Sequence, residues 1–251
     1  MEFRLIFDTI PEEFDCWRPR YCPAAFAALA DYAALGPDKR VLEIGPGTGQ
    51  ATEPVLDTGC QYLGVELGEH LAAVMGRKFG DRPNFSLLRD DFVTCDLGGA
   101  QFDLIYSAAT IQWIPEETAF PRVLSLLKPG GVLAMMKTSA DYRTPNPALY
   151  DRIQAAYAAY FHPTETYRGG FRYDHAVDYG FVNFETRRFS SRRVFTADEF
   201  VAMSATHCDH LTLREDDRRG LFDGIRAAIL DTGDCIELLD TITLYLTRKP
   251  G

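Results

Sequence analysis

Residues 41–50 read VLEIGPGTGQ. A short apolar run, Val41, Leu42 and Ile44, passes straight into three alternating glycines, Gly45, Gly47 and Gly49. Glycine has no Cβ, so such a turn can be tight and its backbone can approach a ligand closely. Glu43 sits inside the run, where an unpaired charge is costly to bury. A buried strand that ends this way predicts a nucleotide-type cofactor site at the C-terminal end of the first strand of an α/β sheet.

The pattern continues outward from that strand. Before it, Pro23 to Leu35 reads as a helix with Pro23 in its first turn and Phe26, Leu29, Ala30 and Ala33 on one face. Residues 1–22 read as irregular. After it come strands at 62–65, ending at Glu66; at 85–88, ending near Asp90 and Asp91; at 102–106; and at 132–136. Helical patterns carry Leu67, Leu71, Val74 and Met75, then Phe120, Val123, Leu124 and Leu127, the latter stopping at Lys128-Pro129-Gly130-Gly131. Alternating strands and helices predict a mostly parallel sheet covered on both faces. Further on, Asn146 and Pro147 mark a helix start with Leu149, Ile153, Tyr157 and Tyr160 inward, and Val182–Phe189 alternates like a strand. Thr196 and Glu199 form a capping box, a helix covers 216–230, and a β segment covers 236–246. The late helices read as an insertion over the cofactor end of the sheet.

The chain has 251 residues, 46% hydrophobic and 25% charged, enough for a sizeable core without a metal or disulfide. The net charge of −10 disfavours nucleic acid as a partner, because a large acidic excess repels phosphate backbones. Cys16, Cys22, Cys60, Cys95, Cys208 and Cys235 form no C-x-x-C pair and no zinc spacing, so free thiols in a reducing cytoplasm are expected, and no metal. The opening MEFRLIFDTIPEEFD reads as no signal peptide, and no stretch approaches the ~20 apolar residues of a membrane span.

Spacing alone leaves the cofactor open. Gly45 and Gly47 fit the first two positions of a dinucleotide G-x-G-x-x-G, but Gln50 stands where its third glycine belongs. Glu66, about 20 residues on, suits the ribose hydroxyls of nicotinamide and adenosyl cofactors alike. The ordered set VLEIGPGTGQ, YLGVE, FDLIYSAATIQWI and LLKPGGVLAMM closely resembles the class I S-adenosylmethionine-dependent methyltransferases. The small-molecule methyltransferase type 11 group, which includes trans-aconitate methyltransferase-like enzymes, is the nearest resemblance. Arg18-Pro19-Arg20-Tyr21 is similar to that group's R-P-x-Y segment, and FTADEFVAMSATHCDHLTL to its T-x-E-(Y/F) helix and following loop.

The resemblance implies a Rossmann-like methyltransferase fold, with a mostly parallel seven-stranded sheet, helices on both faces and a C-terminal helical insertion. It implies one domain over 1–251, with a lid and helix at 1–36, a cofactor core at 37–137 and a substrate side at 138–251. S-adenosyl-L-methionine is the implied cofactor, and S-adenosyl-L-homocysteine the product. Glu43 would hold the glycine loop or orient the cofactor's amino group. Gly45, Pro46, Gly47, Thr48 and Gly49 would pass beneath the methionine and ribose. Glu66, followed by Leu67, would accept from the ribose hydroxyls. Asp91 and Phe92 would meet the adenine edge, and Ser107 and Ala108 the methionine part. Trp113 would close the substrate side, with Arg18 and Tyr21 either lining the pocket or simply packing over the sheet edge. Where this group often has His before that Trp, the chain has Gln112.

The acceptor is expected to be a small molecule taking the methyl at O or N, in a monomer or homodimer. A carboxylate acceptor needs no base, whereas a hydroxyl or protonated amine is helped by one. Among His70, His162, His175, His207 and His210, the last two are the better-placed candidates. Arg187, Arg188, Arg192 and Arg193 read as a solvated strand end or as an attractor of acidic substrate. Two rival readings stay open: a non-catalytic cofactor-binding protein of this fold, and a nicotinamide-dependent oxidoreductase.

Overall fold

Alternation along Val41–Ile44 sends Val41 and Glu43 to one face of a strand and Leu42 and Ile44 to the other. Both faces are covered: the four residues are at most 1% exposed. The computed structural model describes residues 3–99, 101–167 and 169–251. Its strands are β1 (Arg40–Ile44), β2 (Gln61–Glu66), β3 (Phe85–Arg89), β4 (Phe102–Ala108), β5 (Leu127–Asp141), β6 (Val182–Thr196) and β7 (Cys235–Arg248), in the order β3-β2-β1-β4-β5-β7-β6. The first five pair in parallel. β7 runs antiparallel to both β5 and β6, so the sheet is mixed and the expected mostly parallel sheet holds only for its first five strands.

The helices are α1 (Pro11–Trp17), α2 (Pro23–Ala33), α3 (Thr52–Leu56), α4 (Glu69–Phe79), α5 (Glu116–Leu126), α6 (Pro147–Tyr160), α7 (Ala197–Ala205), α8 (Cys208–Leu211) and α9 (Glu215–Leu230). α2, α3 and α4 cover the face that carries Val41, Tyr62, Leu104 and Tyr106, while α5 covers the face of Leu42, Ile44, Ile105 and Leu133. A third cluster joins α6, α7 and α9 to Ile236 and Leu238, beside the C-terminal end of β5. Strand order reverses between β1 and β4, and that switch opens a crevice at the carboxyl ends of the strands.

Several local readings change. The expected irregular stretch is largely helical from residue 3 to residue 17: Phe3–Thr9 is a 3₁₀ helix and α1 follows. Pro11 at the first helical position with Glu12 and Glu13 behind it is a helix-start signal that short length obscured. No helix links β3 to β4 among the described residues. β6 extends to Thr196, and Tyr160 is 40% exposed rather than inward. The capping box holds, with Thr196 Oγ1 accepting from the Glu199 amide. Among the described residues, no helix is long and apolar enough to cross a membrane.

The glycine turn depends on backbone conformation. Gly49 has φ +91°, and a Cβ there would lie 2.5 Å from Phe79 and 2.8 Å from the Met75 sulfur of α4. Gly49→Ala is expected to lower stability by about 2–4 kcal/mol, combining left-handed strain with overpacking. Gly76, inside α4, has open space around its own would-be Cβ. Gly76→Ala should raise stability by about 0.5–1 kcal/mol through helix propensity. Urea unfolding of the two variants checks both signs.

Candidate active site

The β1–β4 crevice deepens into a cavity of about 560 Å³. One side is built from strand ends. Gly45, Pro46 and Gly47 follow β1, Glu66 and Leu67 end β2, Asp91 and Phe92 follow β3, and Ala108 to Thr110 end β4. The opposite side comes from both ends of the chain: Phe7, Phe14, Arg18 and Tyr21 from the N-terminal segment, and Tyr157, Arg193, Phe200, Met203, His207 and Cys208 from the C-terminal half. Gln112, Trp113 and Tyr167 complete the wall.

Glu43 shows why β1 can carry a charge. Register sets it opposite Tyr106 on β4, and alternation keeps Tyr62 of β2 on the same face. Its Oε2 accepts from Thr52 Oγ1 at 2.7 Å and from the Tyr62 and Tyr106 hydroxyls at 2.6 Å each. Burial pushes the Glu43 pKa up, and the three hydroxyls pull against it. All three partners lie outside the glycine turn; Thr52 opens the helix that follows it.

Glu66 is also a clamp. Its Oε2 accepts from the Gly47 amide at 2.8 Å and its Oε1 from the Gly68 amide at 2.9 Å. A carboxylate offers about four lone-pair sites, so two remain for ligand hydroxyls. Burial raises its pKa to about 7, against the pull of the two amides. Asp91 is held by Arg4 at 2.8 and 3.3 Å, and its Oδ1 accepts from the Val93 amide. Burial raises the Asp91 pKa, but Arg4 and Val93 win and hold it below the usual carboxylate range.

Three expected residues lie off the cavity wall. Thr48 is fully buried, with Oγ1 accepting from Gln50 Nε2. Gly49 packs against α4, as above. Ser107 is fully buried, donates to the Ile44 carbonyl and accepts from the Ile111 amide, stitching β4 to β1. Arg18, Tyr21 and Trp113 do line the cavity. Gln112 is engaged structurally: it donates to the Ala109 carbonyl and accepts from the Tyr173 hydroxyl.

The histidines are poorly suited as bases. His207 lines the cavity, but burial drives its pKa down to about 3. His210 is held at about 4, again by burial, with Nε2 on the Tyr157 hydroxyl. His70 pairs with Asp8, and His175 with Glu116. Of the arginine cluster, half-buried Arg187 and exposed Arg192 pair with Glu185 and Glu237, whereas Arg193 lines the cavity and is neutralised by buried Asp240.

The N-terminal segment, whose two short helices the residue pattern did not announce, is strapped across the site. Asp8 Oδ1 accepts from the His70 and Leu71 amides at the start of α4. Glu12 pairs with Arg77, and Asp15 with Lys78. Phe14 stands 3.1 Å from the place of a Cβ on Gly47. Neither Phe3–Thr9 nor α1 has a fully buried residue, so the strap is held by these polar contacts together with partly buried rings, Phe3 and Phe7 against Trp113 and Trp17 against the third core cluster.

Residues 42–135 match the family model of a methyltransferase domain. Curated relatives match over part of the chain. Ribosomal RNA small subunit methyltransferase A of a Synechococcus strain is 39% identical over 79 residues, 30% of this chain and 28% of that protein. The Pseudomonas syringae protein of the same name is 33% identical over 100 residues, 40% and 37% respectively. The chain thus spans well under half the length of these relatives. Among solved structures, Haemonchus contortus phosphoethanolamine N-methyltransferase 2, bound to phosphomonomethylethanolamine and S-adenosylhomocysteine, aligns with TM-score 0.60 at 16% identity, over 100% of this chain and 61% of its own. A proposed type II methyltransferase of Anaeromyxobacter dehalogenans aligns with TM-score 0.65 at 20% identity, over 93% and 99%.

Glu66 carries a pH signature. Its folded pKa of about 7 lies above the ordinary 4.5, so the unfolded chain ionises first. Its penalty is absent below pH 4.5 and fully present above about pH 7. Relative to Glu66→Gln, the wild type is therefore expected to lose on the order of 2–3 kcal/mol of stability across that window. Urea unfolding at a series of pH values measures the difference. Residues 42–135 match a methyltransferase-domain model, and the chain as a whole is similar in fold to solved methyltransferases.

Proposed function

We propose that this protein is an S-adenosylmethionine-dependent methyltransferase acting on a small organic acceptor at O or N. The observation that carries the reading is the meeting, in one cavity, of the glycine turn and Glu66 with a second wall built from the chain's two ends. The wall residues fit such a cofactor. Glu66 keeps lone pairs for ribose hydroxyls, Gly45–Gly47 offers a close backbone path, and Asp91 and Phe92 sit where an adenine edge would lie. Ala108 and Leu67 supply apolar contact. Thr48, Gly49 and Ser107 support the loop from behind, and Glu43 holds its base.

The bound sulfonium supplies an already activated methyl group, so the chain's task is alignment and exclusion of water. Trp113, Tyr167 and Tyr157 face the acceptor side, and Phe7 and Phe14 of the strap line the cleft, Phe7 packed on Trp113. His207, held near pKa 3, stays neutral and acts as a polar wall rather than as a base. The net charge of −10 favours a small acceptor over RNA, and the stretches shared with the RNA-modifying relatives cover 30% and 40% of the chain. The nicotinamide reading is weakened by Gln50, whose side chain is spent on Thr48 and the Phe14 carbonyl.

Calorimetry with S-adenosylhomocysteine and with NADH tests the reading. The wild type should bind the former with micromolar affinity, and Glu66→Ala should lose about tenfold or more, the worth of hydrogen bonds to a charged acceptor. Binding of NADH alone, or of neither, sinks the proposal. Cofactor binding without turnover of any acceptor favours a non-catalytic role.

A further inference from the structure

The charged groups on the cavity wall are nearly all committed. Glu43 holds three hydroxyls, Glu66 two amides, Asp91 pairs with Arg4, and Arg193 pairs with Asp240. Lys137 is exposed, where a charge is cheaply solvated. Arg18 differs from all of these. Its guanidinium lies 5.2 Å from the ring centroids of both Phe7 and Phe14, and it has no hydrogen bond or ion pair among the described residues. Its N–H groups are not sealed in protein, and the space they open on is the cavity.

Two stacked rings stabilise a cation but accept none of its five N–H donors strongly. Burial accordingly presses on the charged form and lowers the Arg18 pKa, with Tyr21 and Cys208 as its nearest electrostatic neighbours. Such a site is completed by an anion, and a planar carboxylate matches the guanidinium fork in two parallel bonds. The position selects the acceptor side. Tyr21, His207 and Cys208 surround Arg18, whereas the carboxylates Glu66 and Asp91 gather at the strand ends.

We propose that Arg18 anchors one carboxylate of the methyl acceptor, and that the rest of the acceptor is an apolar or aromatic body. This rests on the methyltransferase reading above. The body would lie against Trp113, Tyr157, Tyr167, Phe200, Met203 and Leu238. A second anionic group finds no free buried cation, because taking Arg4 or Arg193 would break the pairs with Asp91 or Asp240 and strand a carboxylate. The acceptor class is therefore a monocarboxylate rather than a polyanion.

The test uses the full chain saturated with S-adenosylhomocysteine. Hydroxy- and amino-substituted monocarboxylates, aromatic and aliphatic, are titrated beside their primary amides. Preferred acids are then offered with S-adenosylmethionine and homocysteine-product release is followed. At least one acid is expected to bind about tenfold or more tightly than its amide. Arg18→Leu should abolish that preference, Arg18→Lys should keep part of it, and both should bind S-adenosylhomocysteine within about twofold of wild type. The inference is overturned if no acid exceeds its amide, or if the preference survives in Arg18→Leu. Loss of S-adenosylhomocysteine affinity in Arg18→Leu with retention in Arg18→Lys also overturns it, by assigning the guanidinium to the cofactor's own carboxylate. Melting curves show whether each variant is folded. A wild type that binds no S-adenosylhomocysteine removes the methyltransferase reading itself, which separates the two failures.

Discussion

A buried carboxylate in the middle of β1 organises the molecule. Glu43 has 1% of its surface exposed, and burying it alone would be prohibitive. Three hydroxyls from three other elements converge on one of its oxygens: Tyr62 from β2, Tyr106 from β4 and Thr52 from α3. Each bond is charge-assisted, and together they tie the central strands to the helix that follows the glycine turn. The turn is thereby fixed from below, while Glu66 fixes it from the side through the Gly47 amide. Gly64, opposite Glu43 in register, leaves room for this cluster.

The same economy governs the cavity. Its acidic groups Glu66 and Asp91 sit at the strand ends and hold backbone or Arg4, and its half-buried cations, Arg4, Arg18 and Arg193, come from the N-terminal segment and from β6. Partly buried rings of Phe3 and Phe7 seat the strap on Trp113, and polar contacts at Asp8, Glu12 and Asp15 fasten it to α4. Such contacts are individually weak and exchange readily with water, which suits a cover that must admit and release ligands. The third core cluster gives the opposite wall its rigidity, through Ile153, Leu221 and Ile225.

Much of this was legible in local pattern. Short apolar runs identified the central strands, and Gly45, Gly47 and Gly49 identified the turn, because each is a constraint between near neighbours. The capping box at Thr196 and Glu199 was equally local. What was obscured depended on distance in space. The carboxylate of Glu66 reads as a ligand group in sequence, yet most of its visible bonding is to Gly47 and Gly68. Ser107 and Thr48 occupy motif positions but turn inward, and nothing in the motif says which way a side chain faces. Residues 3–17 lack the length and apolar stripe that would announce helices, because their partners lie on α4 and the glycine turn.

The sequence by itself determined the strand-turn-helix frame, the place of the cofactor-type turn and the acidic balance of the surface, since all three follow from residues close together or from composition. Tertiary structure decided which charges are spent and which are left. Arg4, Arg18 and Arg193 are indistinguishable as letters, yet Asp91 and Asp240 neutralise the first and third and leave the second facing the cavity. Pairing of that kind joins residues 47 and 87 positions apart, and only folding brings them within reach.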